Sequence, residues 1–293
     1  MSFKLLEDIV GICKKENKPF WRVIMEENCN EQAMSESECY EQMKGLLIAM
    51  RHADENYDGG TRSVSGMAGG MGEKLASYGG SKDSLLGAFL EKATEKAVKM
   101  AESNACMKCI VAAPTAGSCG IIPASLLAYG EYRNAPEERL VEALFVAGGI
   151  GEVYANSASI AGAAGGCQAE IGVAASMSAS ALAYLEGGDA ECIVHAAALA
   201  MKSLMGLTCD PVAGLVEVPC IKRNASGVMV AVGSAHMALA GLRSAIPPDQ
   251  VVDAMRRVGN MMSDSLKETS LGGLATCPAA RAVAEKMSGG EGK

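Results

Sequence analysis

Apolar residues recur every three or four positions over residues 3 to 16, 19 to 30 and 35 to 55, the interval that gathers them on one face of an α-helix. The opposite faces are polar, so these helices are expected to form a peripheral layer spanning residues 1–57. Ser35-x-x-Glu38 opens the third helix as a capping box. The pattern breaks at DGGTRSVSGMAGGMGEKLASYGG, residues 58 to 80, where dense glycine predicts a loop in which backbone approaches a ligand or another chain. Helical spacing returns from about 83 to 109, followed by a turn at Pro114 to Gly120 and two or more helices through 163. Beyond a glycine-marked turn at Cys167, helices are predicted over 172 to 186 and 189 to 206. A second irregular loop precedes helices at 224 to 244 and 248 to 266, the latter announced by Pro247-Pro248-Asp249. No sustained strand alternation, repeat or low-complexity linker intervenes. The expectation is one all-α domain over 1–293, a single helical domain whose Gly/Pro-rich loops converge on a site within 58–293.

Composition sharpens this picture in three respects. Hydrophobic residues are 49% but aromatics only 4%, beside 34 glycines, so small side chains must fill the interior and let helices approach closely. A net charge of -8 provides no basic footprint for nucleic acid, and no dense basic run seeks an acidic membrane surface. The uncharged run Asn224 to Leu242 approaches a membrane-spanning length, but its polar residues and three glycines make it a buried helix. The N-terminal sequence lacks the basic head, apolar run and small-residue cleavage site of a signal peptide, which predicts a cytoplasmic protein. In that reducing compartment, eleven cysteines favour free thiols and metal ligands over a disulfide framework.

Three of those cysteines stand out by context. Cys167 lies in GGCQAE (165 to 170), and Cys209 and Cys220 bracket LTCDPVAGLVEVPC (207 to 220), both stretches interrupting helical sequence. Pro211 and Pro219 restrict the backbone beside two of the thiols, while Gly214, Gly165 and Gly166 permit tight paths. A free cysteine taken singly is usually a small buried hydrophobe. Three in such turns suit a [4Fe-4S] cluster held one ligand short, since a fully structural cluster takes four and an open metal position keeps a Lewis acid for substrate. Cys106-x-x-Cys109 is a weaker signal, because a zinc site would need two further ligands. Cys13, Cys29, Cys39 and Cys192 read as ordinary thiols of helices, and Cys119 as a residue lining the site without being a ligand.

The segments APTAGSCGIIPA ending at 124, GGCQAEIG (165 to 172), CDPVAGLVEVPCIKRNA (209 to 225) and KETSLGGLA (267 to 275) together resemble the α chain of the bacterial iron–sulfur-dependent L-serine dehydratases. SGMAGGMGEKLASY (65 to 78) fits the same family, as does the spacing of 42 and then 11 positions between the three cysteines. The resemblance implies a [4Fe-4S] cluster on Cys167, Cys209 and Cys220, no pyridoxal phosphate, and β-elimination of water from L-serine to give pyruvate and ammonia. It further implies a β subunit carrying a Ser-Ser-His-Thr segment, which is absent from this sequence. The turn at Thr115, Gly117 and Ser118 would then bind the substrate carboxylate, with Arg223 and Asn224 nearby and Lys222 facing solvent. Asp210 and Glu170, beside the ligands, would act through them. Among His52, His195 and His236, only His236 lies near a family motif and is this chain's candidate general base; a lysine or a histidine of the partner competes with it. Cys277, a fourth-ligand candidate by analogy with relatives whose C-terminal cysteine approaches the cluster, is followed by 16 further residues, against that role. Two other readings stay open: an L-cysteine desulfidase or related open-iron lyase, and a non-catalytic iron–sulfur scaffold or sensor.

Overall fold

The computed structural model describes residues 3–79 and 84–289, and helices account for the ordered secondary structure among them. Three N-terminal helices, α1 (Leu6–Glu16), α2 (Phe20–Gln32) and α3 (Glu36–Glu55), match the periodic stretches. Ser35 caps α3 as expected, its hydroxyl accepting from Glu38 N while the Glu38 carboxylate accepts from Ser35 N. Buried faces of these helices join the largest hydrophobic cluster of the molecule, with Ile9, Phe20, Val23 and Leu47 in contact with the central helices.

The remaining long elements are α4 (Met71–Gly79), α5 (Gly87–Ala105), α6 (Ile121–Arg133), α7 (Glu137–Ser157), the single turn α8 (Gly162–Gly165), α9 (Val173–Leu185), α10 (Ala190–Leu204), α11 (Cys220–Leu239), α12 (Pro248–Met261) and α13 (Pro278–Ser288). Helix α9 is the axis of the fold: every residue is buried, and α6, α7, α10 and α11 pack around it. Its sequence VAASMSASALAYL is mostly small residues, which is what lets four helices close on one. The serines do not leave orphaned hydroxyls: the one Ser176 proton has Gly172 O and Ala197 O within reach at 2.9 and 3.0 Å, Ser178 donates to Ser125 Oγ at 2.7 Å, and Ser180 to Ile193 O at 2.9 Å. No helix among the described residues is long and apolar enough to cross a membrane.

Several boundaries differ from expectation for local reasons. The stretch expected as a glycine loop contains α4, because a buried carboxylate caps its first turn; residue 80 lies outside the described residues. Helix α5 ends at Ala105 instead of 109, where Cys106 leaves helical dihedrals and Met107 turns to φ +60; its expected start at 83 also lies outside the described residues. Helix α11 begins at Cys220, not 224, so the third cysteine starts a helix and Asn224 sits one turn above it. Helix α12 begins at Pro248 as expected but stops at Met261, since Met262 is extended.

Candidate active site

Four irregular segments meet around the cysteines: the turn at 113–118, the chain through Cys167, the stretch 207–220, and the C-terminal strap 264–274. Cys167 immediately precedes a five-residue π-helical stretch, Gln168–Gly172, that runs into α9. Such wide turns favour functional positions, and here Glu170 and Cys167 reach the same space. Gly166, at φ +77, is obligatory: a Cβ there would lie 2.9 Å from Leu207 O. Gln168, fully buried, ties the two cysteine segments together, accepting from Gly206 N at 2.9 Å while donating to Gly165 O and Met255 O. On the other side Cys209 forms a parallel bridge to the strap, donating from N to Leu266 O and accepting from Glu268 N, both at 2.8 Å.

These constraints place the Cys167 and Cys209 sulfurs and a Glu170 carboxylate oxygen within 4.8 Å of one another, a group able to hold a metal. Cys220 is buried beside them, outside that tight trio but close enough for its thiol to feel the charges of Cys167 and Glu170. Space is reserved on the near side: a Cβ on Gly162 would stand 3.2 Å from Cys209 Sγ and 2.7 Å from Glu170 Oε2. Two thiols and a carboxylate within 4.8 Å of one another, with the buried Cys220 thiol beside them, are a donor set that fits an iron–sulfur group or another thiophilic metal.

The protonation pattern follows from contact. Cys209 shares its proton with Cys167, which holds the Cys167 thiol below its ordinary value with help from Arg223, and raises Cys209 correspondingly. Burial pushes Cys220 up to about 12, with the Cys167 charge adding to it. Glu170 is raised by burial, against the hydrogen bond that Thr115 Oγ1 donates to it at 2.7 Å. Metal binding at such a set must therefore release protons. Arg223 stays charged despite its burial because Cys167 and Asp210 face it. Its fork spans Thr208 O and Asp210 Oδ1, both at 2.8 Å. Asp210 in turn accepts from Leu274 N at 2.8 Å, fastening the strap.

Of the residues proposed from sequence for substrate, Thr115 and Gly117 do reach the cysteine site, since a Cβ on Gly117 would meet Glu170 Oε1 at 3.0 Å. Ser118 is buried, its hydroxyl turned back on Thr115 Oγ1 at 3.2 Å. Asn224 is wholly committed to the fold: it accepts from Gly120 N at 2.9 Å and donates to Gly117 O and Cys220 O at 2.9 and 3.0 Å. It therefore fixes the turn from behind. His236 is not brought to the thiols. It lies sixteen residues beyond Cys220 on α11, roughly 24 Å along the axis at 1.5 Å per residue, where it lines a cavity of about 180 Å³ with Phe89 and Tyr129. Cys119 is likewise a core thiol, donating to Met100 O, and Cys277 is exposed at the start of α13.

A sequence profile described as the serine dehydratase alpha chain matches residues 15–275. The chain belongs to that family. The probable L-serine dehydratase alpha chain of Bacillus subtilis is 42% identical over 288 residues, covering 98% of this chain and 96% of the relative. The L-serine dehydratase alpha chain of Peptoniphilus asaccharolyticus is 41% identical, covering 92% of each. The L-serine dehydratase of Helicobacter pylori strain J99 is 34% identical over 94% of this chain, which spans 61% of that longer protein.

In this member of the serine dehydratase alpha-chain family, two buried carboxylates escaped the sequence reading. Glu102 accepts from Gly69 N at 2.7 Å, Met71 N at 2.9 and 3.0 Å, Gly72 N at 2.9 Å and Tyr57 Oη at 2.6 Å. The donors that a glycine-rich loop would offer a ligand are thus filled by the chain's own side chain. Glu217 accepts from Ser63 and Ser65. Nothing in MAESNA around Glu102 signals this, whereas Glu217 is the one charge between Asp210 and Lys222.

Proposed function

We propose that this chain is the catalytic α chain of an L-serine dehydratase that eliminates water from L-serine to give pyruvate and ammonia, with a [4Fe-4S] cluster on Cys167, Cys209 and Cys220. The observation that carries the proposal is the buried Cys167–Cys209–Glu170 group with its Gly162 cradle, in a chain that covers 96% of a relative named as such an α chain. When bound, the cluster supplies a Lewis acid that stabilises the departing hydroxyl. The chain's own residues do the rest. The turn at Thr115 and Gly117 receives the substrate carboxylate, Asn224 and Ser118 hold that turn in place, and Arg223 contributes positive charge beside Cys167. The general base comes from the partner, a β chain as the relatives' α-chain names imply. Within the chain, every ligand assigned here lies in 58–293, which forms the cluster- and substrate-binding core supported laterally by residues 1–57.

The test is anaerobic co-purification with a β partner, followed by iron and sulfide analysis and pyruvate formation from L-serine, L-threonine and L-cysteine. The expected result is a cluster with L-serine preferred, and loss of iron and turnover in Cys209→Ala. A fully iron-loaded two-chain protein inert toward L-serine would overturn the proposal.

A further inference from the structure

Glu170 lies between the two halves of the candidate site. Toward the turn, its Oε1 accepts from Thr115 Oγ1 at 2.7 Å, and a Cβ on Gly117 would stand 3.0 Å from Oε1 and 3.3 Å from Oε2. Toward the thiols, a carboxylate oxygen is within 4.8 Å of the Cys167 and Cys209 sulfurs, and Oε2 borders the Gly162 cradle, 2.7 Å from where a Cβ would be. Among the described residues Oε2 receives no hydrogen bond, and no cation pairs with the carboxylate. Arg223, the cation of this site, is held by Thr208 O, by Asp210 and by the charge of Cys167. The charged side chain that Glu170 does feel is Glu268, a second carboxylate.

A largely buried carboxylate without a counter-ion is costly, and a [4Fe-4S] core held by three thiolates is itself net negative, so it does not neutralise Glu170. A cation that arrives with the substrate would. The turn supplies the complement. The N–H groups of Ala116 and Gly117 donate to nothing among the described residues and so stand ready for a carboxylate, while the Thr115 hydroxyl is committed to Glu170. An anion seat directly beside an anionic side chain repels a simple carboxylic acid. It suits an α-amino acid, whose ammonium and carboxylate are carried by one carbon. In L-serine that same carbon separates the carboxylate from the hydroxymethyl group, and the site repeats the order: turn, Glu170, thiols.

We infer that the Glu170 carboxylate binds the α-ammonium of the substrate and thereby selects α-amino acids over acids that share the carboxylate and β-hydroxyl but lack the ammonium. This rests on the proposed serine dehydratase reading. With such an analogue bound, Glu170 would stay unpaired beside a second anion, which is how a polar site rejects a ligand missing the group it recognises.

The experiment compares the wild type, Glu170→Gln and Glu170→Asp, each co-purified anaerobically with the β partner, in their affinity for L-serine and for 3-hydroxypropionate, which keeps the carboxylate and the β-hydroxyl and lacks the ammonium. The wild type should hold L-serine about tenfold or more tightly than 3-hydroxypropionate. Glu170→Gln keeps the shape and an acceptor for Thr115 but removes the charge; KM for L-serine should rise about tenfold to a hundredfold, the loss of one hydrogen bond to a charged group. Inhibition by 3-hydroxypropionate should stay within about twofold or tighten. Glu170→Asp retains the charge and should hold L-serine more tightly than Glu170→Gln does. Iron and sulfide per chain should match the wild type in both variants. A wild type that binds the two ligands equally, equal weakening of both in Glu170→Gln, unchanged affinity for L-serine, or loss of iron, which would make Glu170 a metal ligand, would each overturn the inference. Where a variant does not turn over, L-serine is not consumed and its affinity is read by calorimetry beside that of 3-hydroxypropionate. Should Glu170→Gln fail to fold, Glu170→Asp decides: a side chain one methylene shorter should weaken L-serine several-fold and leave 3-hydroxypropionate unchanged. If the iron-loaded wild type makes no pyruvate from L-serine, the functional reading falls, and the ammonium contact is judged by the same calorimetric pair.

Discussion

Gly273 adopts φ +58, and a Cβ on it would fall 2.4 Å from Asp210 Oδ2, the oxygen that accepts from Leu274 N. Gly273→Ala is therefore expected to lower stability by about 2 kcal/mol or more, from the left-handed backbone and the disturbed charged hydrogen bond together; urea denaturation checks it. Arg223 presents a second residue-scale case. Lysine keeps the charge but lacks the planar fork that spans Thr208 O and Asp210, so Arg223→Lys should hold the iron of the proposed cluster on the order of tenfold less well under chelator challenge, as expected when a residue supporting metal ligands is changed. The turns that bring Cys167 and Cys209 together were legible because proline and glycine flank them. Glu170 was legible only as a neighbour of Cys167, and its approach to Thr115 required the π-helical turn that no residue pattern announces. His236 misled because proximity to a motif along the chain says nothing when the intervening residues form a rigid helix.

Helices α5 and α6 approach so closely that a Cβ on Gly120 would sit 2.4 Å from the backbone oxygen of Ala97 and 3.0 Å from Asn224 Oδ1. Backbone cannot yield as a side chain can. Gly120→Ala should cost about 3 kcal/mol through overpacking and the loosened Asn224 bridge, read as a lowered midpoint in thermal or urea unfolding. By contrast Ser35→Ala at the head of α3 removes only a cap, an expected loss of about 1 kcal/mol. The contrast explains which elements could be read in advance. Helices α1 to α3 have one wet face, so their periodicity and caps are written in the sequence. Helix α4 lay hidden because its N-terminal donors are met by Glu102 from α5, a partner thirty or more residues away. The early start of α11 escaped for a similar reason, since Glu217 O and Pro219 O accept the first N–H groups in a stretch that otherwise reads as loop.

Across the whole molecule the chain closes on itself: Asp249 at the head of α12 accepts from Leu6 N and Glu7 N at 2.7 and 3.1 Å, capping α1 from the far end of the sequence. Beside this junction His195 Nδ1 accepts from Ser244 N at 3.1 Å, so the imidazole must stay neutral there, and burial holds its pKa below the ordinary 6.5. The unfolded chain takes up a proton near 6.5 that the folded one resists; stability is full above that pH and is lost as pH falls below it. Urea midpoints between pH 8 and 5 should fall for the wild type and fall less for His195→Asn.

Sequence by itself determined the helical class and the peripheral amphipathic helices, and it marked the irregular turns that hold Cys167 and Cys209, because periodicity, caps and turn residues are local properties of a chain. Tertiary structure alone decided which groups face one another: that Glu170 joins Cys167 and Cys209, that Asn224 and Ser118 hold a turn from within, and that Glu102 and Glu217 shape the glycine-rich segment. Each of those depends on residues tens to hundreds of positions apart meeting inside a core of small side chains, where a buried polar group must find its partner wherever the packing brings one.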